Sequence, residues 1–232
     1  MRYSMRYSIH AGHNPDGLVA SGAAGYMKES VESRKIVNYI MSHVDEKEAV
    51  ICDVTVNDGK SQNDILQRLC QRMNNVMSEI NISIHLNGGG GTGVECWTYG
   101  VNDEADRLAK KICENISELG FRNRGVKQSK SLYILRHSVQ PTIIIEVCFV
   151  DTERDYETYM RIGYEKVAEA IMEALGIAYA NNDTAESDEV DEPASNADNL
   201  YYVQVGALRN KLNAEILAEN LRKKGFSAYI KR

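Results

Sequence analysis

Strand-like and helix-like stretches alternate along the chain and predict an α/β fold, a twisted, mostly parallel mixed sheet flanked by helices. Three observations carry this expectation. Short apolar runs rich in Ile and Val, such as Thr142–Val147, are separated by stretches with helical periodicity, such as Glu29–Val44. The composition, 43% apolar and 26% charged over 232 residues, is that of a globular chain with room for a sizeable core. Charge divides the chain sharply: residues 178–199 hold seven acids and no Lys or Arg, whereas residues 200–232 hold seven bases and two acids. The acidic stretch has almost no large apolar side chain and is expected to be a self-repelling linker. It separates a main domain, 5–177, from a short C-terminal piece, 200–232.

The elements follow in order. Tyr7–His10 reads as a strand leading into a glycine-containing loop. Glu29–Val44 is a helix by the spacing of Val31, Ile36, Val37 and Ile40. Ala49–Val54 is a short apolar strand, and Asp58–Met77 a helix carrying Ile65, Leu66, Leu69 and Met73. Asn81–Leu86 and Gly93–Tyr99 are strands, Asp103–Leu119 is a helix, and Ser131–Leu135 and Thr142–Val147 are strands. Tyr164–Leu175 closes the domain with a helix. The tetrad Met1–Ser4 recurs as Met5–Ser8 and reads as a duplicated start outside the fold.

Chemistry-bearing residues collect where strands end, which is where open α/β sheets place ligands. The segments are Ile9-His10-Ala11-Gly12-His13, Ser83-Ile84-His85-Leu86-Asn87, and the run Ile143–Ile145 ending in Glu146; Glu29 opens the first helix. His13 and His85 each lie at or near a strand end among small residues, and His10 competes with His13 for a role in the same loop. Two imidazoles, a carboxylate and a water make an open zinc site. Glu146 interrupts an apolar strand. It is either a general base of raised pKa beside a metal, or a carboxylate that sits at the strand's exposed end or pairs with an arginine such as Arg136. His43 falls on the polar side of its helix and is expected to be solvated. The Gly88–Gly91 run lacks both the lysine of a P-loop and a GxGxxG spacing leading into a helix, so a nucleotide site is rejected. It is better read as room for a polymeric substrate. The five scattered cysteines contain no CxxC pair and are expected to be reduced core thiols.

As an ordered set, HAGH, the helix-opening Glu29, SIHLN, RGVK, SLYIL and IIIEVCFVD resemble the zinc-dependent N-acetylmuramoyl-L-alanine amidases of the amidase-3 type. The likeness is to clostridial phage endolysin catalytic domains in particular, and it runs from Tyr7 to Ile177. It implies that His13, Glu29 and His85 hold Zn2+, that Glu146 is catalytic, and that peptidoglycan is the substrate. Glu32, one helical turn from Glu29, leaves the carboxylate ligand open, and GHNP stands here where the family has GHGG. The C-terminal LYYVQVGAL, the amphipathic Asn210–Lys224 and GFSAYIKR resemble the opening β-α-β of a SPOR domain. That resemblance implies a partial peptidoglycan-binding module. The expected activity is hydrolysis of the amide between N-acetylmuramic acid and L-alanine. Alternatives are a catalytically silent wall-binding module and a zinc carboxypeptidase or deacetylase on the same fold.

No apolar run approaches the roughly 20 residues of a membrane span, so membrane insertion is not expected. No motif points to a nucleic acid partner. The N-terminus has no apolar signal region. Synthesis in the cytosol and action on the wall after holin-type release or lysis are the corresponding expectations.

Overall fold

The computed structural model describes residues 5–45 and 49–177, together with Ala218 and Arg222. The expected linker 178–199 and, apart from those two residues, the expected SPOR-like piece 200–232 lie outside the described residues. The elements named below belong to the first of two units into which the chain divides, Met1–Ala180 and Asn181–Arg232.

The order is β1 (Met5–Ala11), α1 (Glu29–His43), β2 (Ala49–Asp53), α2 (Gln62–Asn75), β3 (Ile80–Asn87), β4 (Val94–Thr98), α3 (Asp103–Glu118), β5 (Asn123–Gln128), α4 (Tyr133–His137), β6 (Thr142–Phe149) and α5 (Glu153–Ala174). One six-stranded sheet runs β2-β1-β3-β6-β4-β5. Strands β2, β1, β3 and β6 are mutually parallel, whereas β4 is antiparallel to β6 and parallel to β5. The mixed, mostly parallel sheet expected from the sequence is therefore present.

Successive strand residues point to opposite faces, so alternation along β1, β3 and β6 separates two environments. Ile9, Ile82, Ile84, Leu86, Ile143, Ile145 and Val147 are all buried in the main core, which includes residues of α1, α3 and α5. The other face carries Ser8 and His10 from β1, Asn81, Ser83 and His85 from β3, and Thr142, Ile144 and Glu146 from β6. A smaller core of Ile65, Leu69 and Met73 from α2 with Ile134 and Leu135 from α4 covers part of it around Ile144. Register ties the polar groups together: Ser8 Oγ donates to Asn81 Oδ1 at 2.6 Å, and Asn81 Nδ2 donates to Thr142 Oγ1 at 3.1 Å.

Local chemistry sets the helix starts. Ser61 Oγ accepts from Asp64 N at 3.2 Å and caps α2, so this helix begins later than the expected Asp58. Asn102 Oδ1 caps α3 by accepting from Ala105 N at 2.8 Å. At the front of α5, buried Asp155 accepts from Gly93 N at 2.7 Å and Phe149 N at 2.8 Å, fixing the ends of β4 and β6 against each other.

Four expectations need correction. Ser131–Leu135 is not a strand: Ser129 Oγ accepts from Ser131 N and Leu132 N, and the chain then turns into α4. Tyr133 stacks on His137 one helical turn later, with ring centroids 4.0 Å apart. Helix α5 starts at Glu153, not Tyr164, because two helical stretches meet at Gly163, whose φ of 81° breaks the regular backbone. Strand β5 was not expected at all. Strand β1 starts at Met5, two residues before the expected Tyr7, and runs to Ala11. Of the cysteines, Cys70, Cys96, Cys113 and Cys148 are buried free thiols and Cys52 is exposed and free.

Candidate metal centre

The loop after β1, the first residue of α1 and the end of β3 meet at the C-terminal edge of the parallel strands. There His13 Nε2 lies 3.3 Å from Glu29 Oε1, and His85 Nδ1 lies 2.8 Å from the same oxygen. The three side chains offer ligand atoms within 4.8 Å of one another. Zinc bonds of about 2.0–2.2 Å in a tetrahedron set ligand separations of roughly 3.4 Å, so the donor set fits that ion in both spacing and chemistry.

The surrounding chain holds each donor. Gln62 Oε1 pairs with His13 Nδ1 at 3.3 Å, which leaves Nε2 facing Glu29. Glu29 is 3% exposed, and its other oxygen accepts from Ala23 N at 2.7 Å. Burial alone would raise the Glu29 carboxyl, but the hydrogen bonds and charges of His13 and His85 hold it far below the usual carboxylate range. Burial by itself would lower His85, yet the Glu29 carboxylate, helped by Glu146, raises it. Gly12 is required because a Cβ there would come within 2.0 Å of the His85 ring.

His13 has φ 63°, a left-handed backbone that a non-glycine residue adopts only when its surroundings enforce it. Two residues do so. Asn14 is fully buried; its Nδ2 donates to Val19 O at 2.8 Å and Gly59 O at 2.7 Å, and its Oδ1 accepts from Gly59 N at 2.9 Å. Arg34 reaches from α1 and donates to His13 O at 2.7 Å and Ser30 O at 2.9 Å. Asn14 thus clamps the loop that carries His13 to the loop before α2.

Glu146 stands beside His85 in the β3–β6 register. Its Oε2 is buried without a hydrogen-bond partner among the described residues. Burial, the largest cause, pushes this carboxyl up to about 7; the charges of Glu29 and Glu95 add to the rise, and the His85 and His13 imidazoles oppose it. The alternative pairing with Arg136 is not made, since that side chain lines a cleft with Val139 and Pro141 around the start of β6.

The remaining histidines fall elsewhere. His10 is fully buried in β1, three residues before His13, and neither ring nitrogen has a partner among the described residues. Burial, with the His85 charge, depresses it to about 3, so it is a neutral imidazole. His43 stacks on Tyr39, and its Nδ1 lies 2.9 Å from Tyr39 O. Glu32 turns to Tyr159, whose hydroxyl donates to it at 3.0 Å, and to Lys35.

Sequence reasoning missed Asn14, Arg34 and Gln62 as supports. Asn14 carried a signal, because the resemblance implies a glycine there, beside His13. Arg34 and Gln62 act across 21 and 49 residues of chain, and nothing local to them announces that reach.

Comparison with known proteins identifies the family. The family model described as N-acetylmuramoyl-L-alanine amidase matches residues 8–176, and the SPOR domain model matches 197–232. An uncharacterised protein of Clostridium perfringens is 30% identical over 177 residues, 74% of this chain and 51% of that protein. The sporulation-specific N-acetylmuramoyl-L-alanine amidase of Bacillus subtilis is 31% identical over 160 residues, 68% of this chain and 58% of its own length. The chain thus spans about half the length of the curated relatives it matches. Among solved structures, the catalytic domain of the CD27L endolysin, titled as targeting Clostridia difficile, superposes with a TM-score of 0.66. That match has 25% identity and covers 74% of this chain and 96% of the other. With 169 consecutive residues matched by that family model, the chain belongs to the N-acetylmuramoyl-L-alanine amidase family.

Proposed function

We propose that the chain is a peptidoglycan hydrolase that cleaves the amide between N-acetylmuramic acid and the L-alanine of the stem peptide. One observation carries the reading: a buried carboxylate oxygen on Glu146, without a partner among the described residues, stands on the strand beside His85 of the His13–Glu29–His85 cluster. In this reading His13, Glu29 and His85 hold a zinc ion. Zinc in such a site polarises a carbonyl and lowers the pKa of water towards about 7.

The chain's own part of the chemistry centres on Glu146. Its Oε2 takes a proton from the attacking water and later delivers it to the departing alanine nitrogen. A carboxyl raised to about 7 is matched to both tasks near neutrality. The Asn14 clamp and Arg34 keep the His13 loop in place through the cycle. The Gly88–Gly91 loop, whose Gly89 and Gly90 amides are held by Asp151 at 2.6 and 3.0 Å, gives a glycan strand room to approach.

The SPOR-like residues 200–232 supply a peptidoglycan-binding piece joined through the acidic segment 178–199 to the catalytic domain 5–177. No helix of the described residues is long and apolar enough to cross a membrane. The substrate lies in the wall, reached after release or lysis.

Mass spectrometry of soluble products from purified sacculi, with chelator and with zinc restored, tests the reading. Chelator-sensitive release of stem peptides with a free N-terminal L-alanine is expected. Free D-amino acid or acetate as the product would instead indicate carboxypeptidase or deacetylase chemistry.

A further inference from the structure

Beyond Glu146 the sheet carries a second charged group that the cleavage chemistry does not use. In the antiparallel β4–β6 pairing, Glu95 is the direct partner of Glu146. Glu95 is 2% exposed, and its Oε2 accepts from Arg124 Nε and from Lys127 Nζ, each at 2.5 Å. Its Oε1 accepts from Asn87 Nδ2 at 3.2 Å and Trp97 Nε1 at 3.1 Å. The carboxylate is fully used, and one negative charge serves two positive ones.

Both cations stay accessible, Arg124 with 26% and Lys127 with 33% of the side chain exposed. Each lies over an aromatic ring, Arg124 5.0 Å from the centroid of Phe149 and Lys127 5.2 Å from that of Trp97. Among the described residues neither pairs with a second carboxylate. The Arg124 Nη groups and the remaining Lys127 protons are thus donors held at fixed positions with a surplus positive charge. Such an arrangement suits a carboxylate, which accepts charge-assisted hydrogen bonds from several donors at once.

We propose that Arg124 and Lys127 form a carboxylate-binding subsite for the stem peptide, contacting the second or third residue from the scissile amide. This rests on the hydrolase reading above. Strands lie about 4.8 Å apart, so β5 stands roughly 10 Å from β6 across β4. An extended peptide advances about 3.3–3.6 Å per residue, which places that distance two to three residues along the stem. The glycan side offers no competitor, because the lactyl carboxyl of an N-acetylated muramic acid is itself part of the amide. Glu95 acts here as a positioning residue that holds the two like charges together.

The test uses the full chain with zinc and three substrates. The first is N-acetylmuramoyl-L-alanyl-D-isoglutamyl-L-lysine with both carboxyls free; the other two carry a primary amide at the second or at the third residue. One of the two amidations is expected to lower kcat/KM about 10- to 100-fold, mainly through KM. Lys127→Gln and Arg124→Gln are expected to erase that preference by losing activity on the acid alone, and Lys127→Arg to keep it. Equal hydrolysis of all three substrates overturns the subsite and leaves the hydrolase intact, as does an equal loss on acid and amide in the variants. Cleavage of none of them overturns the hydrolase reading and the subsite with it.

Discussion

The two faces of the sheet are built from the same strands and do opposite work. One face presents Ile82, Ile84, Ile143 and Ile145, each completely or almost completely buried against helices. The other presents Ser83, His85 and Glu146, with polar atoms that include unpartnered ones. Apolar burial contributes about 25 cal/mol per Å² without demanding exact directions, so the first face carries stability. Buried polar groups cost free energy unless satisfied, and the second face bears that cost where chemistry needs it. Function and stability are separated by the alternation of a strand.

Substitutions on each face sharpen this contrast. The largest effect is expected from Glu146→Ala, a 10²- to 10⁴-fold loss of turnover on sacculi with the thermal transition retained. A loss of under tenfold would remove Glu146 from the mechanism. Ile145→Ala, its neighbour on the opposite face, is expected to cost about 2–5 kcal/mol in denaturant unfolding. The molecules that remain folded should keep near-normal kcat.

Glu146→Gln should show the cost of the polar face directly in metal-free protein. The folded carboxyl is raised from 4.5 to about 7, so the folded state binds its proton more readily than the unfolded chain does. Stability is therefore lost as pH rises from 4.5 through about 7 and remains lost above it. Gln removes that penalty. A gain of about 1–3 kcal/mol is expected above pH 7, shrinking to nothing below pH 4.5. An equal effect at pH 4 and pH 8 would mean that the carboxyl is not raised. Asn14→Ala comes last, at about 1–3 kcal/mol for the lost clamp. Weaker zinc binding by calorimetry should accompany it, because His13 loses the restraint on its left-handed backbone.

The same contrast explains what the sequence made legible. Strands β3 and β6 are central, and their Ile-rich alternation announces both the element and the polar residue that breaks it, as at His85 and Glu146. Strand β5, NRGVKQ, has no fully buried residue, so its strand character comes only from pairing with β4. Ser131–Leu135 has strand-like residue types, yet a serine hydroxyl and an aromatic stack one turn apart decide for helix. In the site, histidines at strand ends were visible because few residue types perform that chemistry. Asn14, Arg34, Gln62 and Glu95 are common polar residues, and each has a partner 21 to 49 residues away in the chain. Only the fold brings them together.

The reversal of β4 and β5 has a consequence for how such a chain can change over generations. The strands that carry His85 and Glu146 also place Ile82, Ile84, Ile143 and Ile145 in the main core, so a slip in their register shifts both faces at once. Arg124 and Lys127 sit on an edge strand that contributes no fully buried residue. A change of length or register at this edge therefore leaves the centre in place, whereas the same change in β3 or β6 moves core and polar residues together.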